Sequence, residues 1–142
     1  MEICPYKHTV QYYETDRMGI THHSNYIRWM EEARVDFLEQ AGWGYDKLEE
    51  TGIISPVTSV QCQYKESTTF RDEVEIFVAV KEFKGVRLVL EYKMQKAGTQ
   101  EMVCTAQSEH CFLDKEGHLV RLKKTVPGFH DMLCRMAEAY EN

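Results

Sequence analysis

Proline is scarce in this sequence: Pro5, Pro56 and Pro127 are the only three among 142 residues. No Ser/Gly-rich linker, internal repeat or low-complexity tract divides the chain, so a single domain over residues 1–142 is expected. No apolar run approaches the ~20 residues that a membrane-spanning helix needs. The opening Met1-Glu2-Ile3-Cys4-Pro5-Tyr6-Lys7 lacks the basic and apolar regions of a secretory signal, and a cytoplasmic protein is expected. Cations are outnumbered, with 17 Lys and Arg against 23 Asp and Glu, for a net charge of −6. That balance argues against nucleic acid or an anionic membrane as partner. It leaves room for an anionic small molecule bound by a local basic patch. The five cysteines (Cys4, Cys62, Cys104, Cys111, Cys134) are odd in number and hold no C-x-x-C pair. Neither a disulfide framework nor a zinc site is suggested, and buried free thiols are expected.

What is present is globular in kind. Hydrophobic residues make up 43% and charged residues 28%, close to the average for folded domains. A chain this long buries roughly 70% of its unfolded surface, enough for a core without staples.

The hydropathy pattern changes period along the chain. Residues 8–13, His8 to Tyr13, read as a short strand. From Ser24 to about Gln40, Tyr26, Trp29, Met30, Ala33 and Phe37 recur at intervals of three and four, the stripe of an amphipathic helix. Ser24 or Asn25 is placed to cap its start, and Gly42 sits just past its end. Tyr45–Glu50 reads as a shorter helix stopped by Gly52. After Pro56 the period drops to two: Val60, Cys62, Tyr64; then Val74, Ile76, Val78, Val80; then Val86, Leu88, Leu90, Tyr92, Met94; then Met102, Cys104, Ala106 towards Phe112. Turn signals at Lys84-Gly85, Ala97-Gly98 and Asp114–Gly117 separate the runs. Spacing this short favours antiparallel hairpins. A meander of four strands is expected, wrapped about the long helix in a two-layer α+β fold. Met132, Met136 and Ala139, after Pro127, mark a terminal helix.

Chemistry concentrates between the first strand and the long helix, in Tyr12-Tyr13-Glu14-Thr15-Asp16-Arg17-Met18-Gly19-Ile20-Thr21-His22-His23-Ser24-Asn25-Tyr26. A helix N-terminus presents unpaired N–H groups and a positive dipole end, which favour a carboxylate, a phosphate or a developing oxyanion. Asp16 fits either of two roles: a turn cap, with Gly19 permitting the turn, or an acid/base or nucleophilic group beside that anion site. The adjacent pair His22-His23 is a poor metal motif. Neighbouring histidines are expected to project apart, whereas metal-binding helices use i, i+4 spacing. Glu31 and Arg34 read as an i, i+3 pair on a solvated or interface face. Trp29 and Phe37 read as core, while Tyr26 lies in the first helical turn beside the candidate site.

Asp16-x-x-Gly19, His23-x-x-Tyr26 and Glu31-x-x-Arg34 together resemble the signature of the 4-hydroxybenzoyl-CoA thioesterase family of hotdog-fold acyl-CoA thioesterases. The resemblance runs through Val60–Tyr64 and Asp72-Glu73-Val74 to about Pro127. It implies a hotdog fold with sheets joined across a dimer, the active site at the interface, and a homodimer or homotetramer. It places Asp16 at the catalytic carboxylate and His23 at the residue whose backbone N–H polarises the thioester carbonyl. Gly19 and Tyr26 fall at substrate-binding positions. Many members carry an aspartate two residues before the catalytic one, where this chain has Glu14. The position of His23 varies between tyrosine and histidine, so its N–H matters more than its ring.

The implied substrate is an acyl thioester of coenzyme A or of an acyl carrier protein, hydrolysed without metal or redox cofactor. No G-x-S-x-G nucleophile elbow is present. Lys65, Arg71, Lys84, Arg87, Lys123 and Lys124 are candidate partners for the coenzyme A phosphates. Two other functions fit the same residues: a hotdog hydratase or dehydratase using His23 beside the carboxylate, and a non-catalytic module that binds acyl ligands.

Overall fold

A computed structural model describes residues 2–141. The chain forms β1 (Tyr6–Thr9), a 3-10 turn (Tyr12–Glu14), α1 (Ser24–Gln40) and α2 (Tyr45–Glu50). Four longer strands follow: β2 (Val57–Tyr64), β3 (Glu73–Phe83), β4 (Arg87–Lys96) and β5 (Met102–Cys111). A short α3 (Leu122–Thr125) leads into α4 (Pro127–Glu141). All strand pairs are antiparallel in one sheet of order β1-β3-β4-β5-β2.

The expected α+β architecture is present: α1 lies in the sheet's curve, its Trp29, Ala33 and Phe37 almost fully buried. These meet Val74, Ile76, Leu90, Tyr92 and Met94 from β3 and β4, the alternate residues that a period of two sends to one face. Helix α4 packs on β3, where His130 meets Phe83 at 5.3 Å, and its Phe129 meets Phe112, just past β5, edge-on at 5.9 Å. Gly42 ends α1 at φ +85°, the left-handed turn that glycine makes without a Cβ penalty.

Five expectations about the fold are corrected. The first strand ends at Thr9, and Tyr12–Glu14 forms a 3-10 turn because the Glu14 carboxylate accepts the Gln11 N–H at 2.8 Å and closes it. Only β3, β4 and β5 form a meander; β2 pairs with β5 at the opposite edge from β1. Neither Ser24 nor Asn25 caps α1. His23 already has helical dihedrals (−57°, −26°), and the Asn25 side chain turns back to the Glu14 carbonyl at 3.0 Å. Arg34 is buried: Glu31 does pair with it, but its guanidinium lies under the sheet 3.1 Å from His110 Nδ1. Among the five free cysteines only Cys104 is fully buried.

Candidate active site

Two short-range contacts fold the Asp16 loop. Thr15 and Thr21 form an isolated antiparallel bridge, and inside it the Asp16 N–H donates to the Ile20 carbonyl at 2.9 Å. The Gly19 N–H returns to the Asp16 carbonyl at 2.9 Å, while Asp16 Oδ1 accepts the Met18 N–H at 2.8 Å. Asp16 therefore does cap a turn, as an Asx residue does. Its Oδ2 has no hydrogen-bond partner among the described residues, so capping occupies one oxygen and leaves the other for a second task. Gly19 has φ +78°, and a Cβ there would meet nothing within 4 Å. Dihedral freedom, not crowding, is what requires glycine.

The residues just before β3 hold this loop in place. Thr69 Oγ1 donates to the Gly19 carbonyl at 2.7 Å. The Thr21 N–H donates to the Thr68 carbonyl at 2.9 Å, and the two threonine hydroxyls lie 2.6 Å apart. Thr68 Oγ1 is also 3.0 Å from Tyr26 Oη. The Tyr26 hydroxyl is thus engaged within the protein, and burial raises its pKa above the ordinary tyrosine value. What Tyr26 offers the cleft is its ring.

His23 begins α1. Its N–H has no acceptor among the described residues, whereas the Asn25 N–H is taken by the His22 carbonyl at 3.0 Å. The His22 and His23 rings do not project apart: their centroids are 4.3 Å from each other, 30° from parallel. Asp16, Met18, His23, Tyr26, Tyr64 and Lys65 line one cleft of about 390 Å³. Gly19 closes the turn that carries Asp16. Of the residues singled out from sequence, Asp16, His23 and Tyr26 therefore meet at one cleft, and Gly19 does not line it.

Sequence reasoning did not find Tyr64 or Thr68. Tyr64 ends β2, with its ring 5.3 Å from Tyr26 and its hydroxyl donating to the His23 carbonyl at 3.4 Å. Burial and the neighbouring Cys62 thiol push its pKa up to about 12, so it stays protonated. The alternation of β2 identified the residue but not its contact with α1. Thr68 carries no sequence signal at all.

The candidate cations separate into groups. Lys65 lines the Asp16 cleft. The Arg71 guanidinium lies over the Phe70 ring at 5.0 Å. Arg87 is paired to Glu82 and Glu109. Lys84, Lys123 and Lys124 join Arg121 in a second pocket of about 440 Å³ at the β3–β4 turn. The eleven residues of β3 separate that pocket from the Asp16 end of the sheet, roughly 30 Å at the rise of a strand.

A sequence model described as the thioesterase-like superfamily matches residues 10–135. A protein of Aquifex aeolicus provisionally named an esterase is 35% identical over 121 residues, covering 85% of this chain and 92% of that protein. A Bacillus subtilis protein provisionally named an acyl-CoA thioesterase is 30% identical over 122 residues, covering 85% and 88%. The crystal structure of a DHNA-CoA thioesterase from Staphylococcus aureus superposes with a TM-score of 0.90 at 29% identity, covering 98% of this chain and 93% of the other. The chain belongs to the thioesterase-like superfamily: it is a hotdog-fold protein of the thioester hydrolase class. No helix among the described residues is long and apolar enough to cross a membrane.

Proposed function

We propose that this protein is an acyl-CoA thioesterase of the 4-hydroxybenzoyl-CoA thioesterase family, with residues 1–142 acting as one domain. It releases a free carboxylic acid and the thiol of coenzyme A or of a carrier protein. The observation that carries the reading is that Asp16, with one carboxylate oxygen unpartnered among the described residues, and His23, whose N–H has no acceptor there, line the same cleft. A thioester carbonyl seated at the start of α1 is polarised by that N–H and by the helix dipole, which stabilise the oxyanion as it forms. Asp16 then either attacks the carbonyl carbon, expelling the thiolate and leaving an acyl-aspartate anhydride that water hydrolyses, or takes the proton of a water whose attack leads to cleavage of the C–S bond and release of the thiol. The ring of Tyr26 walls the acyl group, and Gly19 holds the turn that presents Asp16.

The cleft is completed by a second subunit in this reading. Edge strand β2 exposes Val57 (42%), Val60 (37%) and Tyr64 (46%) together with an unpaired row of backbone groups, which proteins cover or pair. Antiparallel pairing of β2 with its copy about a two-fold axis joins the sheets, giving a dimer or a dimer of dimers. It also turns the partner's far end, with its basic pocket, towards this subunit's Asp16, where coenzyme A phosphates need cations. Five free cysteines support a reducing, cytoplasmic setting.

A thiol-release screen over short, long and aromatic acyl-CoAs tests the reading. Free thiol from at least one substrate is expected. Acyl-CoA binding without thiol release in the whole panel overturns it in favour of a binding module. Loss of the enoyl absorbance of crotonyl-CoA without thiol release overturns it in favour of a hydratase.

A further inference from the structure

Glu14 is a buried carboxylate that the mechanism above does not use, with 4% of its surface exposed. Three donors from three parts of the chain converge on it. Its Oε1 accepts from His8 Nε2 of β1 at 2.8 Å and from the Gln11 N–H at 2.8 Å. Its Oε2 accepts from Nε1 of Trp29, deep in α1, at 2.8 Å. Burial pushes the carboxyl pKa up, but the bonds from His8, Gln11 and Trp29 outweigh it and hold the group below the usual range. The same residue acts again through its main chain. Its carbonyl accepts the His22 N–H at 2.8 Å and Asn25 Nδ2 at 3.0 Å.

The two sets of bonds have one geometric effect. Asp16 follows Glu14 by two residues, so its backbone departs from a point pinned by the carboxylate to α1. His22 and His23, just ahead of that helix, are pinned by the carbonyl to the same point. A separation that must be held within fractions of an ångström for catalysis is therefore fixed through one residue.

We infer that Glu14 is the positioning residue of the thioesterase site, fixing the Asp16 carboxylate against the His23 N–H without touching substrate. This inference rests on the thioesterase reading, which the wild type and Asp16→Asn test separately. Glu14→Gln keeps the size but places an amide N–H₂ against one of the three donors. With an acyl-CoA that the wild type hydrolyses, Glu14→Gln is expected to lower kcat at least tenfold with KM within threefold. In an Asp16→Asn background it should cost nothing further, because residues acting as a unit are not additive. A kcat within threefold of wild type, a parallel rise in KM, or full additivity with Asp16→Asn overturns the inference.

A second measurement is independent of turnover. Amide exchange across residues 15–26 should quicken at least tenfold in Glu14→Gln while β4 and β5 keep their protection. Unchanged exchange in that segment, or equal loosening everywhere, overturns the inference. Should Glu14→Gln not fold, Glu14→Asp, which keeps the charge and shortens the reach, takes its place with the same outcomes.

Discussion

Arg34 Nη1 donates a hydrogen bond to His110 Nδ1 at 3.1 Å, deep between α1 and β5. Arginine has only donors, so His110 must accept at Nδ1 and carry its proton on Nε2. That proton points to Ser108 Oγ at 2.7 Å, and Ser108 lies 2.7 Å from Tyr92 Oη. Protonating Nδ1 would set donor against donor beside a positive charge. Burial first, and then Arg34, lower the His110 pKa to about 4.

The sign of the stability effect follows. The unfolded histidine titrates near pH 6.5, so between there and pH 4 the unfolded state binds a proton that the folded state refuses. This contribution is fully present above about pH 6.5 and is lost as pH falls towards 4, amounting to roughly 3 kcal/mol. Denaturant unfolding of wild type and His110→Asn across pH 4–7.5 checks it. The difference between the two curves should shrink as pH falls; a constant difference contradicts the assignment.

Asp16→Asn should fold normally and lose most of its hydrolysis through kcat. The amide is a near isostere, but neither a nucleophile nor a base at neutral pH. Steady-state thiol release measures this. A variant keeping more than about a tenth of wild-type kcat puts less than ~1.4 kcal/mol of barrier on the carboxylate, too little for a catalytic group.

Two substitutions at His23 separate its ring from its backbone. His23→Ala keeps the N–H and should be mild. His23→Pro suits the native φ of −57° and removes the N–H along with the ring, so kcat should fall by about 10²–10³ below that of His23→Ala, the difference being the donor's. The two are compared in the same assay. A deep loss in His23→Ala would show that the imidazole takes part and would shift weight to hydratase chemistry.

The active species should be at least a dimer at micromolar concentration. Val60→Glu on the exposed edge of β2 should shift it towards monomer and lower activity in step. Light scattering run beside the assay reads both. A fully active 16.7 kDa monomer would contradict the shared site.

The local pattern made much of this protein readable. Trp29, Ala33 and Phe37 gave α1 its stripe, and Val74, Ile76, Leu90 and Met94 gave β3 and β4 their inward face, because each period reports one buried side. The Asp16–Tyr26 segment was legible for the same local reason: a turn, a glycine and a helix start adjoin in sequence. What stayed hidden depends on distant partners. Arg34 sits among charged residues and reads as solvated until His110, 76 positions later, covers it. Val60 and Cys62 alternate like a central strand, yet β2 lies at an edge. Thr68 gains meaning only from Thr21 and Tyr26.

The strand order also sets a timetable for folding. β3, β4 and β5 close through short turns, but β2 is separated from its partners by 40 residues at Tyr64–Cys104 and 53 at Val57–His110. Contacts of that span form slowly, because a long loop must close before any bond rewards it. During synthesis β2 leaves the ribosome ahead of the three strands that follow, and waits unpaired until Cys111 has emerged. An unpaired strand with Val57, Val60, Cys62 and Tyr64 uncovered is the kind of edge that draws chains together. A strand made early and paired late depends on that unpaired stage being brief.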